Sequence, residues 1–102
     1  MDIKIHSIRF DADIKLLDFI RIRLDKLGLF YDDIISAEVF LRLDRSQDSE
    51  NKVTEIKLII PGTELFAKRQ TRTFEESTDL AIDALRGQIR KHKTKLKRSR
   101  LY

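Results

Sequence analysis

The stretch Glu55–Gln70, EIKLIIPGTELFAKRQ, has the pattern of two strands joined by a turn, and the other elements of the fold are placed relative to it. In its first half Ile56, Leu58 and Ile60 occupy alternate positions, which is the period of a strand with one buried face. The Pro-Gly pair that follows is a strong turn signal, and the segment ELFAKRQ after it has the length of a returning strand. The stretch therefore predicts a β-hairpin.

A third strand precedes this hairpin. Apolar residues occupy every second position of the segment, at Ala37, Val39, Leu41 and Leu43. The polar segment DRSQDSENK between this strand and the hairpin is typical of a turn. Three sequential antiparallel strands are the economical arrangement of these segments, because each connection is short.

The N-terminal part of the chain predicts a strand and then a helix. Ile3 and Ile5, followed by Ile8 and Phe10, predict a strand with an irregularity near His6 and Ser7. Asp13 is placed to cap the helix, and Gly28 predicts its end, because glycine enters the left-handed conformation without steric cost. Spacings of three and four give this helix one apolar stripe, formed by Leu17, Ile20, Leu24 and Leu27.

A second helix follows the hairpin. Thr73 and Glu76 match a capping box at its start. Its apolar stripe consists of Ala81, Leu85, Ile89, His92 and Leu96. We predict an α+β domain with the element order β-α-β-β-β-α, and we expect Phe10, Phe19 and Phe40 in its core. A chain of 102 residues fits a single domain, residues 1–102, with one modest core.

The amino-acid composition argues against several kinds of metal site and against a membrane-spanning segment. The chain has no cysteine and only two histidines, so thiolate and multi-histidine metal sites are excluded, and we expect no cofactor. No apolar run approaches the roughly 20 residues that cross a bilayer, and the N-terminus is not that of a signal peptide. We expect a cytoplasmic protein that binds neither membrane nor small-molecule substrate and is monomeric when free.

Positive charge is concentrated at the C-terminus. Residues 86–102 hold 8 of the 21 Lys and Arg and none of the 17 acids. Residues 1–85 then have 13 basic and 17 acidic residues, a formal charge of −4. This asymmetry predicts a polyanionic partner bound by one end of the molecule. The alternative is a solvated helix face that only confers solubility. Charge of either sign would serve solubility, but this segment carries only positive charge.

The stretch AIDALRGQIRKHKTKLK, Ala81–Lys97, resembles the C-terminal helix of the ribosome hibernation-promoting factor and ribosome-associated inhibitor family, whose members have a similar A-I-D element and a K-H-K-x-K-L-K string. The stretch FIRIRLDKL in the first helix is similar to the family pattern of basic residues beside an apolar stripe. The resemblance implies a four-stranded sheet with two parallel helices on one face, like a double-stranded RNA-binding domain.

The same resemblance implies a ribosome-binding translation inhibitor. It would occupy the mRNA and tRNA channel of the small subunit and contact rRNA through both helices. On the resemblance and the basic pattern together, the predicted rRNA-binding residues are Arg23, Lys26, Arg86, Arg90, Lys91, Lys93, Lys95, Lys97 and Arg98. Possible additional contacts are Lys68, Arg69 and Arg72, for which a solvated loop is an equal alternative.

Two features depart from the family pattern. Residues 68–80 are longer than the expected connection between strand and helix, and Asp79 lies near a position that is aromatic in many members. The chain also ends at Tyr102, so we expect it to act without the additional C-terminal domain through which long members pair two ribosomes. Residues 98–102 are predicted to form a frayed basic tail.

Three other functions remain as alternatives. A generic double-stranded RNA-binding module would bind short duplexes well, and a protein-interaction domain would keep its partner after nuclease treatment. An enzyme is the third alternative, because Glu75, Glu76, Asp79 and Asp83 gather at the start of the last helix. Favourable interaction of these acids with the helix dipole is the simpler explanation, so we expect no catalysis.

Overall fold

The computed structural model describes the backbone of residues 1–45 and 48–100 and the side chains up to Lys97. Its elements are β1 (Asp2–Ser7), α1 (Ile14–Phe30), β2 (Ser36–Leu43), β3 (Lys52–Ile60), β4 (Thr63–Thr71) and α2 (Phe74–Arg100). The predicted α+β fold and the order β-α-β-β-β-α are confirmed. None of the helices in the described residues is long and apolar enough to span a membrane.

The four strands form one sheet in the order β1-β2-β3-β4. Strand β1 pairs parallel with β2 because α1 carries the chain back to the start of the sheet, whereas the other pairs are antiparallel. The predicted hairpin joins β3 to β4, with Ile60 opposite Thr63. Gly62 in its turn has φ +84°, a conformation that residues with a Cβ rarely adopt.

The core lies between one face of the sheet and the two helices. It receives Val39 and Leu41 from β2 and Ile56 and Leu58 from β3, which are at most 1% exposed. The helices complete the core from the other side with Ile20, Leu24, Leu27, Ala81, Leu85 and Ile89. Both predicted apolar stripes therefore face the sheet over these residues, and the remaining faces of the helices are left to solvent.

Three buried hydroxyl groups position the start of α2 on the sheet. Thr54 Oγ1 of β3 lies 2.6 Å from Ser77 Oγ and 3.4 Å from Thr78 Oγ1, and all three residues are fully buried. The backbone N–H of Glu76 donates to Thr73 Oγ1 at 3.1 Å, which confirms Thr73 as the cap. Hydroxyl groups satisfied by each other in an apolar core favour this packing, because displacement would leave them unpaired.

Helix α1 begins where predicted and ends later. Asp13 caps it by accepting a hydrogen bond from the backbone N–H of Lys15 at 3.0 Å. The predicted end at Gly28 is wrong, because the helix continues to Phe30 and is closed by the N–H of Tyr31, which donates to the Leu27 carbonyl at 2.9 Å. At Gly28 an added Cβ would lie 3.0 Å from Met1 Cε, so the glycine allows close packing.

Strand β1 ends earlier than predicted. It stops at Ser7, and although the Ile8 N–H still donates to the Leu41 carbonyl at 2.9 Å, Arg9 turns the chain with φ 64°. Phe10 therefore leaves the sheet and stacks on Phe74 at the start of α2, with ring centroids 5.2 Å apart. Phe10 packs against the core as predicted, but from a loop.

The segment 68–80 contains no long connection. Strand β4 runs to Thr71 and α2 starts at Phe74, so only Arg72 and Thr73 join them. The expectation of a long connection is therefore wrong, because most of residues 68–80 belong to the end of β4 or to the first turns of α2. The hydroxyl of Thr71, which donates to the Thr73 carbonyl at 2.7 Å, stabilises this tight connection.

Helix α2 is longer than the sheet that supports it. Ile89 is fully buried, but Leu96 on the same stripe is 46% exposed, so the prediction that Leu96 faces the sheet is wrong. His92 lies between them on the stripe, a position that predicts a packed, hydrogen-bonded histidine. Its buried Nε2 instead has no hydrogen-bond partner among the described residues. The helix continues to Arg100. Because the side chains of 98–100 and the last two residues lie outside the described part, the frayed tail stays a prediction.

Candidate nucleic-acid interface

The basic residues of α2 lie on the faces that packing leaves free. Because Leu85 and Ile89 face the sheet, the cations between and after them point sideways or outward. Those exposed to solvent are Arg90, Lys91, Lys93, Lys95 and Lys97, whereas Arg86 is half-buried. Helical spacing divides them into two strips.

The first strip lies along the side of α2 that faces α1. It contains Arg86, Arg90, Lys93 and Lys97, which follow one another at intervals of four, three and four residues. The other strip, with Lys91 and Lys95, lies further round the helix, where these two residues line a shallow groove together with Arg90 and Thr94. The predicted site is therefore one helix end with cations on two adjacent sides.

Two aromatic rings from the end of α1 meet the first strip. Phe30 lies beneath three of its cations, with centroid distances of 5.9 Å to Arg86 Cζ, 5.6 Å to Arg90 Cζ and 4.9 Å to Lys93 Nζ. The Tyr31 ring is 5.0 Å from the same Lys93 Nζ. Distances below about 6 Å allow an attractive cation–π interaction. We call Phe30, Arg86, Arg90 and Lys93 the junction cluster.

Helix geometry explains why cations gather here. The two helices run in the same direction, since Arg23 in the middle of α1 contacts Asp79 near the start of α2, and Phe30 at the end of α1 contacts Lys93 further along α2. Helix α1 has no basic residue in its last turn. The negative end of its dipole is therefore met by cations of α2.

The junction cluster has no acidic counterpart. Among the side chains that the structure describes, Arg86, Arg90 and Lys93 form no ion pair, and Arg86 Nε is buried without a hydrogen-bond partner. Like charges held this close repel one another. An anion placed on the cluster would relieve that repulsion.

Arg23, the predicted contact on α1, is already engaged. Its Nε donates to Asp79 Oδ1 at 2.9 Å, and its guanidinium lies 4.6 Å from the Phe19 ring centroid. Asp79 thereby joins α1 to α2. Lys26 is exposed and lies in the same interhelical groove, which is also lined by Asp83 and Arg86.

The open face of the sheet, opposite the helices, carries many charges that are paired. Glu38 accepts a hydrogen bond from His6 Nε2 at 2.9 Å and lies 3.5 Å from Lys57 Nζ. Glu55 forms an ion pair with Arg42 and has Lys68 Nζ at 4.0 Å. The hydrogen bond from His6 and then the charge of Lys57 hold the pKa of Glu38 below its usual value of 4.5.

Phe40 belongs to this open face. The prediction that places it in the core is wrong, because Phe40 alternates with the buried residues of β2 and stacks on His6, with centroids 4.9 Å apart. Phe19 does pack against the core, and Phe74 is buried. Tyr31 is also buried, and this burial raises the pKa of its hydroxyl.

The possible additional contacts do not form a loop cluster. Lys68 and Arg69 lie on β4, where their side chains point to opposite faces, and Lys68 is drawn toward Glu55. Arg69 donates to the Lys68 carbonyl at 2.7 Å, and Arg72 lies 3.8 Å from Glu50. The structure therefore does not bring these three residues together with the basic face of α2. The side chain of Arg98 lies outside the described residues.

Phe30 and Tyr31 follow the apolar stripe of α1 without belonging to it, so the sequence leaves open whether they pack in the core or stack on unpaired bases. Their position after the apolar stripe of α1 is a local signal, but their contact with Lys93 joins residues more than 60 positions apart. Only the tertiary fold shows it. No group of three or more potential metal ligands converges among the described side chains.

The chain has relatives among known proteins. It is 31% identical over 100 residues to a ribosome hibernation promotion factor of Bacillus subtilis, an alignment that covers 96% of this chain and 51% of that protein. A ribosome hibernation promoting factor of Klebsiella oxytoca is 29% identical over 80 residues, which are 78% of this chain and 80% of the relative. The chain thus spans about half the length of the Bacillus protein.

Solved structures share the fold. A ribosomal subunit interface protein from Coxiella burnetii superposes with a TM-score of 0.82 at 18% identity, over 92% of this chain and 99% of the other. The N-terminal domain of Protein Y from Thermus thermophilus gives 0.76 at 22% identity, over 90% and 99%. The model of one family matches residues 3–97. The chain therefore belongs to the Sigma 54 modulation protein / S30EA ribosomal protein family, as the resemblance of its last helix predicts.

Proposed function

We propose that the protein is a ribosome hibernation factor, a translation inhibitor that binds the rRNA of the small ribosomal subunit in the channel for mRNA and tRNA. The observation that carries the proposal is the junction cluster, where cations from one helix lie together without acidic partners. Family membership supports the ribosome as the source of the anion, since two relatives are named as hibernation factors and one structural neighbour as a subunit interface protein.

The proposed binding is electrostatic. Each Lys or Arg that neutralises a phosphate releases condensed counterions, so affinity grows with the number of contacts and falls as salt rises. Lys26, Arg90, Lys93 and Lys97 are the central contacts, and Lys91 and Lys95 extend the surface round α2. For Arg23 we propose a secondary role, because a phosphate has to compete with Asp79 for its guanidinium.

Shape gives the selectivity. Folded rRNA presents phosphates at fixed positions, and cations held on a packed helix meet only some arrangements of them. Binding in the channel would exclude mRNA and tRNA by occupation. The mechanism includes no bond making or breaking, so we assign no catalytic residue, and the acids at the start of α2 keep their role at the helix dipole.

The remaining parts of the proposal follow from this partner. A ribosome-bound factor acts in the cytoplasm, as a monomer when free, and needs neither a membrane nor a cofactor. Residues 1–102 act as a single ribosome-binding domain, and Arg98 is one of its proposed rRNA contacts.

Sedimentation with purified ribosomal subunits tests the proposal. We expect co-sedimentation with the small subunit at 50 mM salt and about a hundredfold weaker binding at 200 mM, as several phosphate contacts require. A variant with Arg90, Lys91, Lys93 and Lys97 changed to Ala should lose most of this affinity. Its matched control changes the same number of charges elsewhere, at Lys4, Lys15, Lys57 and Lys68.

The two variants separate the possible outcomes. Absence of binding to the small subunit at low salt would refute the proposed function. Equal losses in both variants would mean that net charge, rather than the α2 surface, governs binding. Short RNA duplexes of about 16 base pairs serve as competitors, and a duplex that competes as well as the intact subunit would instead identify a generic double-stranded RNA-binding module.

A further inference from the structure

We propose that Phe30 is a positioning residue for the polyanion-binding surface: its ring holds Arg86, Arg90 and Lys93 of α2 in one place before the ligand arrives. This inference rests on the proposed function for the identity of the ligand, rRNA phosphate. It assigns a role to an uncharged residue on the other helix.

Geometry is the first argument. The three cationic groups lie 4.9–5.9 Å from the centroid of one ring, although they belong to three successive turns of α2. Long Lys and Arg side chains lose considerable rotamer entropy when they are fixed. A ring that attracts all three therefore reduces the entropy that binding itself has to overcome.

The absence of other partners is the second argument. Acidic groups hold Arg42 and Lys57 on the sheet, but no described acid holds the cations around Phe30. An acid would neutralise the cations it positions. An aromatic ring positions them and leaves their charge available, which is the combination that a phosphate-binding surface requires.

Exposure is the third argument. Phe30 is 37% exposed at the end of α1, so its ring is not a core side chain that cations happen to cover. A leucine at this place would keep the apolar character and helix propensity and lose the ring. The neighbouring Leu29 is 88% exposed and offers a control on the same helical turn.

The test compares Phe30→Leu, Phe30→Tyr and Leu29→Ala with the unmodified protein. In the free protein, proton NMR should show an upfield ring-current shift for the side chain of Arg90 that is lost only in Phe30→Leu. The shift of Lys93 should decrease in that variant without vanishing, because the Tyr31 ring also lies 5.0 Å from Lys93 Nζ. Affinity is then measured for small ribosomal subunits and for inorganic polyphosphate. We expect Phe30→Leu to bind both about three to ten times more weakly, and the other two variants to stay within about twofold.

A purely structural role for Phe30 predicts a different result. The midpoint temperature of thermal unfolding would then be lower in Phe30→Leu than in the parent. Affinity measured well below that temperature would equal the affinity of the parent. Unchanged affinity for both ligands overturns the inference, as does a Phe30→Tyr variant that binds as weakly as Phe30→Leu. If the unmodified protein does not bind ribosomal subunits, the proposed function is refuted. The affinities for polyphosphate then still test the role of Phe30.

Discussion

The basic side of α2 and the open face of the sheet both carry Lys and Arg, but they differ in whether acids lie beside these cations. On the sheet, Glu38 lies between His6 and Lys57, and Glu55 lies between Arg42 and Lys68. On α2, helical spacing places cations beside cations. Counting charges therefore does not identify a binding surface, because what matters is whether the fold supplies each cation with an acid.

Charge reversal on α2 should have the largest effect. We expect Arg90→Glu with Lys93→Glu to reduce affinity for the small ribosomal subunit by at least about a hundredfold at 0.1 M salt, because attraction becomes repulsion. Equilibrium sedimentation of a labelled protein gives the affinity. The matched control, Lys4→Glu with Lys15→Glu, should lose less than about tenfold, and equal losses would abolish the difference between the two regions.

Removing acids from the sheet should make the open face resemble α2. The variant Glu38→Gln, Glu55→Gln leaves the adjacent cations without carboxylates. We expect its affinity for heparin, a non-specific polyanion, to rise by about tenfold at 0.1 M salt, because several cations become available together. Affinity for the small subunit should rise less than affinity for heparin. A larger rise for the subunit would place the rRNA contact on the sheet.

The pair Arg23–Asp79 lies between these extremes, as a paired cation on the basic side. Asp79→Asn releases the guanidinium, and we expect subunit affinity to rise by about two- to threefold. Stability should fall by about 0.2–1 kcal/mol, the usual range for an exposed ion pair. Denaturant unfolding measures the stability. The double variant with Arg23→Gln should return affinity to the parent value or below, and a persistent gain would exclude Arg23 as its cause.

The smallest expected effect is the pH dependence of the open face. The pKa of Glu38 is lowered in the folded protein, so its interactions with His6 and Lys57 stabilise the fold above the usual pKa of 4.5. This stabilisation is lost as pH falls from that value through the lowered folded pKa, because the carboxylate becomes protonated. Glu38→Gln should therefore lower the unfolding midpoint at pH 7 and leave it unchanged near pH 2. An equal decrease at both values would contradict this origin.

Much of the fold can be predicted from the local spacing of apolar residues. Ile56, Leu58 and Ile60 alternate because a strand has a period of two, and Leu85 and Ile89 recur because a helix has a period of 3.6. The errors lie at the ends of elements. Gly28 lies inside α1, which continues to Phe30, because a glycine can end a helix but does not have to.

The basic residues of the candidate site could be predicted from the sequence, but the contacts that they make in the fold could not. The basic run after Arg86 indicates a polyanion by itself, since no acid interrupts it. Which cations remain available depends on residues far away in the chain. Asp79 pairs with Arg23 over 56 positions, and no local pattern contains that information.

Local patterns alone predict the order of the elements, the two apolar helix stripes and the basic C-terminal half of α2, because each depends on periodicity and charge within one segment. The period of β2 also places Phe40 on the face opposite the buried residues of that strand. The tertiary fold was needed to show that Leu96 extends past the sheet and that Phe30 lies under the cations of α2. The physical reason is range. Hydrogen-bonding periods act between neighbours in sequence, whereas packing and electrostatic pairing depend on which segments the fold brings together.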